Sequence, residues 1–206
     1  MSQQARCDLK SRQKSLLFLC LWAAVSKLLT KFASMNQVKR WLVWLSRIHR
    51  CWGFGIQSPT DYWFVCNVVN EHWPYYAYDE LREKNWLRNK LGQLFLRLAN
   101  WRQPSTMVAD EWQRYWQAGC RKTRFQHHVS KVELAYVEVS SKEDWEQLLP
   151  LCDKQSVLVV GSIWQDWQWW HAIEQDERVG TTFDLYYCGI VLFDNERFKH
   201  NYIINF

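Results

Sequence analysis

The sequence predicts a mixed α/β fold with a mainly parallel sheet, and three observations between Gln155 and Phe206 support it. Ser156 opens a short apolar run of β-branched residues, as in a strand that is covered by helices on both faces. Gln165–Glu177 then repeats large apolar residues at helical spacing and is closed by Gly180, as helix C-termini prefer. The last observation is a set of predicted strands, the first two forming an antiparallel pair: Thr181–Leu185, Gly189–Phe193 and Asn201–Phe206.

Length and composition indicate one globular domain. With 206 residues, of which 48% are hydrophobic and 23% charged, the chain is long enough to bury a core and to carry a helical extension. Tryptophan is the outlier, with 15 residues. Because the indole has a large apolar body and one N–H donor, it suits cores, interfaces, membrane contacts and base stacking alike, and abundance does not choose among these uses.

The net charge of +5 is unevenly distributed. The residues up to Arg50 include ten Lys or Arg and one acid, Asp8, so this part carries +9 and the remainder −4. A mildly acidic body makes nucleic acid an unexpected partner, since a nucleic-acid-binding domain needs basic residues on its own surface. The seven cysteines are scattered without a C-x-x-C motif, which predicts free thiols in a reducing cytoplasm.

Residues 1–34 form a basic and apolar extension, predicted as one helix. Leu16–Val25 is an apolar run of ten residues, too short for a membrane-spanning helix, which needs about 20. Basic residues before this run and Ala24-Val25-Ser26 at its end also imitate a secretory signal peptide. Three interpretations stay open: an amphipathic or docking helix, a translated extension upstream of a start at Met35, and a working signal peptide.

The stretch Gln37–Arg50 predicts an amphipathic basic helix. Its apolar side chains recur at steps of three and four residues, at Val38, Trp41, Leu42, Leu45 and Ile48. Lysine and arginine fill much of the opposite face. Two roles are open for this helix: docking onto the core, or contact with a membrane surface through residues 15–50, which would make the protein membrane-peripheral.

Further helices are predicted to complete an N-terminal cap. Ser58-Pro59 is typical of a helix start with a serine cap, and Trp73-Pro74 of a stop. The predicted helices are Asp61–Asn70, Asp79–Arg88 and Leu91–Trp101, followed by a first strand at Thr106–Ala109. The chain then divides into residues 1–34 (extension), 35–104 (helical cap) and 105–206 (α/β domain).

Motifs in the cap resemble a known family. His49-Arg50 with Gly53-Phe54-Gly55-Ile56-Gln57-Ser58-Pro59, and then Pro74-Tyr75-Tyr76-Ala77-Tyr78, are similar to the N-terminal part of small class I S-adenosylmethionine-dependent methyltransferases of Bacteroidetes-type bacteria, which typically open with His-Gly-Phe-Gly-Ile-His-Ser-Pro. Segments in the second half also resemble that family, so the similarity runs from about Met35 to Phe206. It implies a Rossmann-like sheet with S-adenosylmethionine over the C-terminal ends of its parallel strands.

The chain departs from that family at the expected cofactor site. The family has a Glu-Ile-Gly-Thr-Ser-like turn after strand one, whereas this chain has Ala109-Asp110-Glu111-Trp112-Gln113, and Trp112 is expected to crowd the cofactor. The 22 residues from Asp110 to Lys131 leave room for one helix and at most a short strand such as Thr123–Gln126. Because a parallel crossover unit takes roughly 30 residues, at least one unit is missing before Val132–Val137. One such unit normally ends in the acid that binds the ribose hydroxyls.

Two carboxylates are positional equivalents of cofactor-binding residues. Asp110 follows the first strand, and Glu138 follows Val132–Val137, where the family has Asp-Gly-Asn-His. The family's Asp-Asp-Ile-His after the next strand is replaced by Gly161-Ser162-Ile163-Trp164. No catalytic residue and no metal site is predicted, since the pair His127-His128 has no third ligand nearby in the sequence.

The expected fold is therefore a shortened Rossmann-like (class I methyltransferase-like) sheet, mainly parallel with a C-terminal antiparallel strand pair, under a helical N-terminal cap. Three functions are weighed. The first is a degenerate relative without catalysis or cofactor, which binds a protein partner or itself or has a structural role. The second is an active S-adenosylmethionine-dependent methyltransferase with an atypical pocket. The third is a peripheral membrane or partner-docking protein.

Overall fold

The structure is a computed structural model that describes residues 35–196 and 198–206. The chain falls into two compact units, with the boundary between Ser46 and Arg47. The helix predicted within residues 1–34 lies outside the described residues.

Helix α1 (Met35–Ser46) belongs to the first unit. It confirms the amphipathic helix predicted from Gln37 onward, although the regular helix ends before Arg50. Its apolar side chains are between 47% and 61% exposed, at Val38, Trp41, Leu42 and Leu45. None of the described helices is both long enough and apolar enough to cross a membrane.

The second unit is built around a seven-stranded sheet. The strands are β1 (Thr106–Val108), β2 (Arg124–Phe125), β3 (Val132–Glu138), β4 (Cys152–Gly161), β5 (Thr181–Asp184), β6 (Cys188–Leu192) and β7 (His200–Ile203). Their order across the sheet is β2-β1-β3-β4-β6-β5-β7. Neighbouring strands are parallel except where β6 pairs with β4 and with β5.

This topology confirms the predicted fold class, a shortened Rossmann-like sheet that is mainly parallel and has an antiparallel pair near its C-terminus. The expected pairing of the first strand with Val132–Val137 is present, since Met107 lies opposite Leu134. The chain passes from β2 to β3 through residues 126–131, which contain neither a helix nor a strand. The strand–helix unit that was expected to be missing is therefore missing from this part of the chain.

One face of the sheet is covered by helices that come before β1 in the chain and by the helix directly after it. They are α2 (Pro59–Phe64), which continues as a π-helix over Val65–Val69, then α3 (Tyr76–Glu80), α4 (Trp86–Arg102) and α5 (Gln113–Gly119). Helix α4 is the centre of this layer, because Leu94, Phe95 and Leu98 are fully buried in its core. Helix α5 packs closely on α4 at Gly119, where a Cβ atom would collide with the backbone of α4.

Helices α6 (Lys142–Leu148) and α7 (Trp167–Gln175) cover the opposite face. Trp145 from α6 and Trp170 from α7 are buried there in one cluster with Val160 of β4 and Val191 of β6. The ring of Trp170 lies directly on Gly189, where a Cβ atom would overlap it. These two indoles are core residues, as is Trp116 on the first face, whereas the tryptophans of α1 are exposed.

One predicted helix is wrong. Asp79–Arg88 is not continuous, because α3 ends at Glu80 and α4 begins at Trp86. Asn85 explains the new start: its side-chain oxygen accepts hydrogen bonds from the backbone N–H groups of Leu87 (2.9 Å) and Arg88 (3.1 Å) and so caps α4.

Candidate functional site

The order of the strands indicates which edge of the sheet is the candidate ligand site. In the sheet, β1 lies between β2 and β3, and β4 lies beyond β3. The chain therefore continues from β1 to one side of the sheet and then crosses to the other side. Open α/β sheets bind ligands outside the carboxyl ends of their strands, at such a switch point. Here that edge is formed by the residues after β1, the end of β3 at Glu138 and the end of β4 at Gly161.

An aromatic cluster made of Phe95, Trp112, Trp116 and Tyr136 occupies this edge. The ring of Phe95 lies at the centre, with its centroid 5.1 Å from that of Trp112, 4.6 Å from Trp116 and 5.4 Å from Tyr136. Edge-to-face and stacked arrangements at these separations are favourable. Side-chain rings therefore pack closely against one another beside β1 and β3, on the face of the sheet that α4 covers.

Trp112 lies in the turn after β1, where the sequence resemblance predicts a glycine-rich turn. Its backbone is left-handed, with φ at 64°, although it carries a bulky side chain. The guanidinium of Arg88 covers the indole at 4.4 Å from the ring centroid, and Arg88 is held in turn by Glu83 at 2.8 Å. The start of α4 thus covers Trp112 with a cation.

The carboxylate of Glu138 contacts a side chain of its own strand, β3. Its Oε1 atom accepts a hydrogen bond from the hydroxyl of Tyr136, and both groups lie on the backbone of Gly161, where a Cβ atom would overlap the phenol oxygen. Burial, and then the hydrogen bond to Glu138, raise the pKa of Tyr136 far above its ordinary value of 10.0. The phenol therefore stays protonated at neutral pH and does not serve as a general base.

Asp110 and Glu138, the two predicted cofactor-binding positions, make separate contacts. The side chain of Asp110 is 78% exposed, and its partner is the ring of His127 at 3.4 Å, just after β2. A contact this exposed contributes little to stability. The carboxyl end of β2 itself leads into Gln126, His127 and His128, so a carboxylate for ribose hydroxyls does not follow this strand.

The described thiols at the sheet are poor nucleophiles. Cys188 at the start of β6 is fully buried, and burial raises the pKa of its thiol, followed by the nearby carboxylates of Asp184 and Glu138. Burial also raises the pKa of Cys152 to about 12. Since the thiolate is the reactive form, neither side chain is suited to covalent catalysis. Among residues 35–196 and 198–206, no three His, Cys, Asp or Glu side chains are grouped closely enough to hold a metal ion.

A buried ion pair at the same edge was not predicted from the sequence. The guanidinium of Arg47 binds both carboxylate oxygens of Asp184 at 2.9 Å, at the carboxyl end of β5. The same carboxylate accepts the backbone N–H of Tyr186 at 2.7 Å and supports its left-handed backbone, with φ at 70°. Because Arg47 and Asp184 are distant in sequence, no local pattern could have shown this pair.

A cleft lies at the opposite edge, beside the amino-terminal half of β4. It encloses about 620 Å³. Two indoles and four charged side chains are prominent in its lining: Trp63, Trp101, Asp61, Arg102, Lys154 and Asp194. The indoles offer flat apolar faces, and the mixed charges around them offer both donors and acceptors. No local sequence pattern predicts this cleft, since its walls come from α2, α4, β4 and the start of β5.

Comparison of the chain with protein-family models, curated proteins and solved structures finds no significant match in any of the three. The family resemblance of its motifs therefore stays a prediction. Function is inferred from the geometry of the two edges of the sheet.

Proposed function

We propose that this chain is a methyltransferase-like protein that does not transfer methyl groups and acts instead as a binding or structural protein. The observation that carries the proposal is the position of Trp112 at the turn after β1, where nucleotide-binding sheets need glycine. The indole, packed on Phe95 and covered by Arg88, takes the space through which a nucleotide would approach the backbone.

The shortened sheet supports the same proposal. In the resembled family, a strand between the equivalents of β1 and β3 ends in the acid that binds ribose. Here β2 has two residues and is followed by histidines, and the remaining carboxylate of Glu138 is hydrogen-bonded to Tyr136. A bound adenosine would therefore lack both a path to the backbone and a carboxylate for its sugar.

Calorimetric titration of the full chain with S-adenosylmethionine, and separately with its demethylated product, tests this proposal. We expect no heat of binding with either ligand, while an active class I methyltransferase measured in the same buffer supplies the positive control. Micromolar binding by the unmodified chain would refute the proposal and support the alternative, an active enzyme with an atypical pocket. Trp112→Ala should also fail to bind, because removing the indole does not restore an acid for the ribose.

We propose that the cleft at the other edge is where such binding occurs. Its volume falls within the range of small-molecule sites, about 300–1,000 Å³, and its indoles suit a flat aromatic group. Anilinonaphthalene sulfonate is a suitable probe, since its fluorescence rises in apolar clefts. Trp63→Ala should weaken binding of this dye, whereas Trp73→Ala, an exposed indole that does not line the cleft, should leave binding unchanged. Equal dye binding by the two variants would contradict this location.

A further inference from the structure

The apolar face of α1 is an exposed feature of the described helices that the proposed function leaves unused. Val38, Trp41, Leu42 and Leu45 lie within a narrow arc of the helix, and each is about half exposed or more. The neighbouring ring of Trp44 contacts that of Trp41 edge-to-face, with centroids 5.9 Å apart. Contiguous exposed apolar side chains of this size mark a surface that another body covers.

The charge of α1 indicates what kind of partner covers its apolar face. Lys39 and Arg40 lie on the other side of the helix, and the helix contains no acidic residue. The sequence around it is equally one-sided, because no Asp or Glu occurs between Asp8 and Asp61. A second copy of α1 would bring like charges together, whereas a surface with negative headgroups over an apolar interior matches both faces.

We infer that α1 binds the surface of an anionic lipid bilayer, with its apolar face in the headgroup region and its long axis parallel to the membrane. Tryptophan suits this depth, since its ring is apolar and its N–H group remains near water. The helix is about 18 Å long at 1.5 Å per residue, which is too short to cross the apolar core. The inference is independent of whether the sheet binds a cofactor.

Cosedimentation of the full chain with phosphatidylcholine vesicles, with and without phosphatidylglycerol, tests the inference. The bound fraction should rise with the anionic lipid and fall with added salt. Leu42→Asn should weaken binding by about tenfold, because it removes a large apolar side chain from that face. Ser46→Asn introduces the same side chain without removing an apolar one and should bind like the unmodified chain.

Charge is tested at Lys39, which is exposed. Lys39→Glu should weaken binding to anionic vesicles, while Lys39→Arg should preserve it. Circular dichroism of each variant shows whether the protein stays folded.

Three results would overturn the inference. The first is no binding to either kind of vesicle. The second is binding that Leu42→Asn leaves unchanged, which would place the contact elsewhere in the chain. The third is lipid-free self-association in the ultracentrifuge that Leu42→Asn abolishes, because a second copy would then be what covers this face.

Discussion

Replacing Arg47 with alanine should destabilise the second unit by about 3–5 kcal/mol. The guanidinium makes a two-point contact with Asp184, whose side chain is only 6% exposed, and it also donates to the backbone oxygen of Asp184 at 3.1 Å. Without Arg47, the buried carboxylate of Asp184 loses the cation that pairs with it. Such a loss is a large share of the 5–15 kcal/mol that typically separates folded from unfolded protein.

Urea unfolding at neutral pH, followed by circular dichroism, measures this free energy. Arg178→Ala is the matched control, because it breaks an arginine–aspartate pair in which the arginine is 55% exposed, and it should cost less than about 1 kcal/mol. Asp184→Asn combined with Arg47→Ala should cost less than Arg47→Ala alone, since the unpaired charge is gone. If Arg47→Ala costs no more than the control, the pair does not stabilise this edge of the sheet as described.

Three further predictions concern the sheet and its helices. Gly161→Ala should lower the free energy of unfolding by about 1–3 kcal/mol, because the new Cβ atom would lie 2.7 Å from the Glu138 carboxylate; urea unfolding measures it. The hydrogen bond from Lys142 lowers the pKa of Asp166 below its ordinary 3.8, so the charged form stabilises the fold above that pH and this contribution disappears as the pH falls. Asp166→Asn, which still caps α7, should therefore lose less stability between pH 5 and pH 3 than the unmodified chain. Cys188 should resist iodoacetamide in the folded protein, as judged by mass spectrometry.

Each of these predictions has a control. Gly55→Ala introduces a methyl group where no atom lies within 4 Å, so its cost reflects only backbone strain at φ of +89°. Asp144→Asn changes an exposed carboxylate on α6 and should leave the acid sensitivity as it is. Cys66 is partly exposed and should react with iodoacetamide before Cys188. No loss of stability in Gly161→Ala, equal acid sensitivity of the two aspartate variants, or equal reactivity of the two thiols would contradict the corresponding explanation.

Short-range patterns predicted most of the second half of the fold. The apolar run Val157–Val160 is the fully buried centre of β4. The helical spacing of Trp167, Trp170 and Ile173 correctly predicted α7. The extension of β4 back to Cys152 was not predicted, because its polar residues show no strand pattern and their pairing with β3 passes through an irregular register. Strands of this kind are specified by their neighbours rather than by their own sequence.

The candidate site was predicted only where one residue decides the geometry. Trp112 was expected to obstruct the turn after β1, and it packs there. The environments of Asp110 and Glu138 were not predictable, because exposure of one and the tyrosine contact of the other depend on how neighbouring strands align. The cleft escaped prediction for the same reason, since residues from distant parts of the chain meet only in the folded state.

The Arg47–Asp184 pair also constrains how the protein is made. During translation Arg47 leaves the ribosome long before its carboxylate, and β7, whose neighbour Ile204 accepts a further bond from Arg47 at 3.4 Å, emerges later still. The second unit therefore completes its fold only after synthesis of residues 200–204, and until then β5 lacks its parallel neighbour β7. Proteins with such distant contacts fold slowly, so nascent chains of this protein should depend on chaperones more than their size suggests.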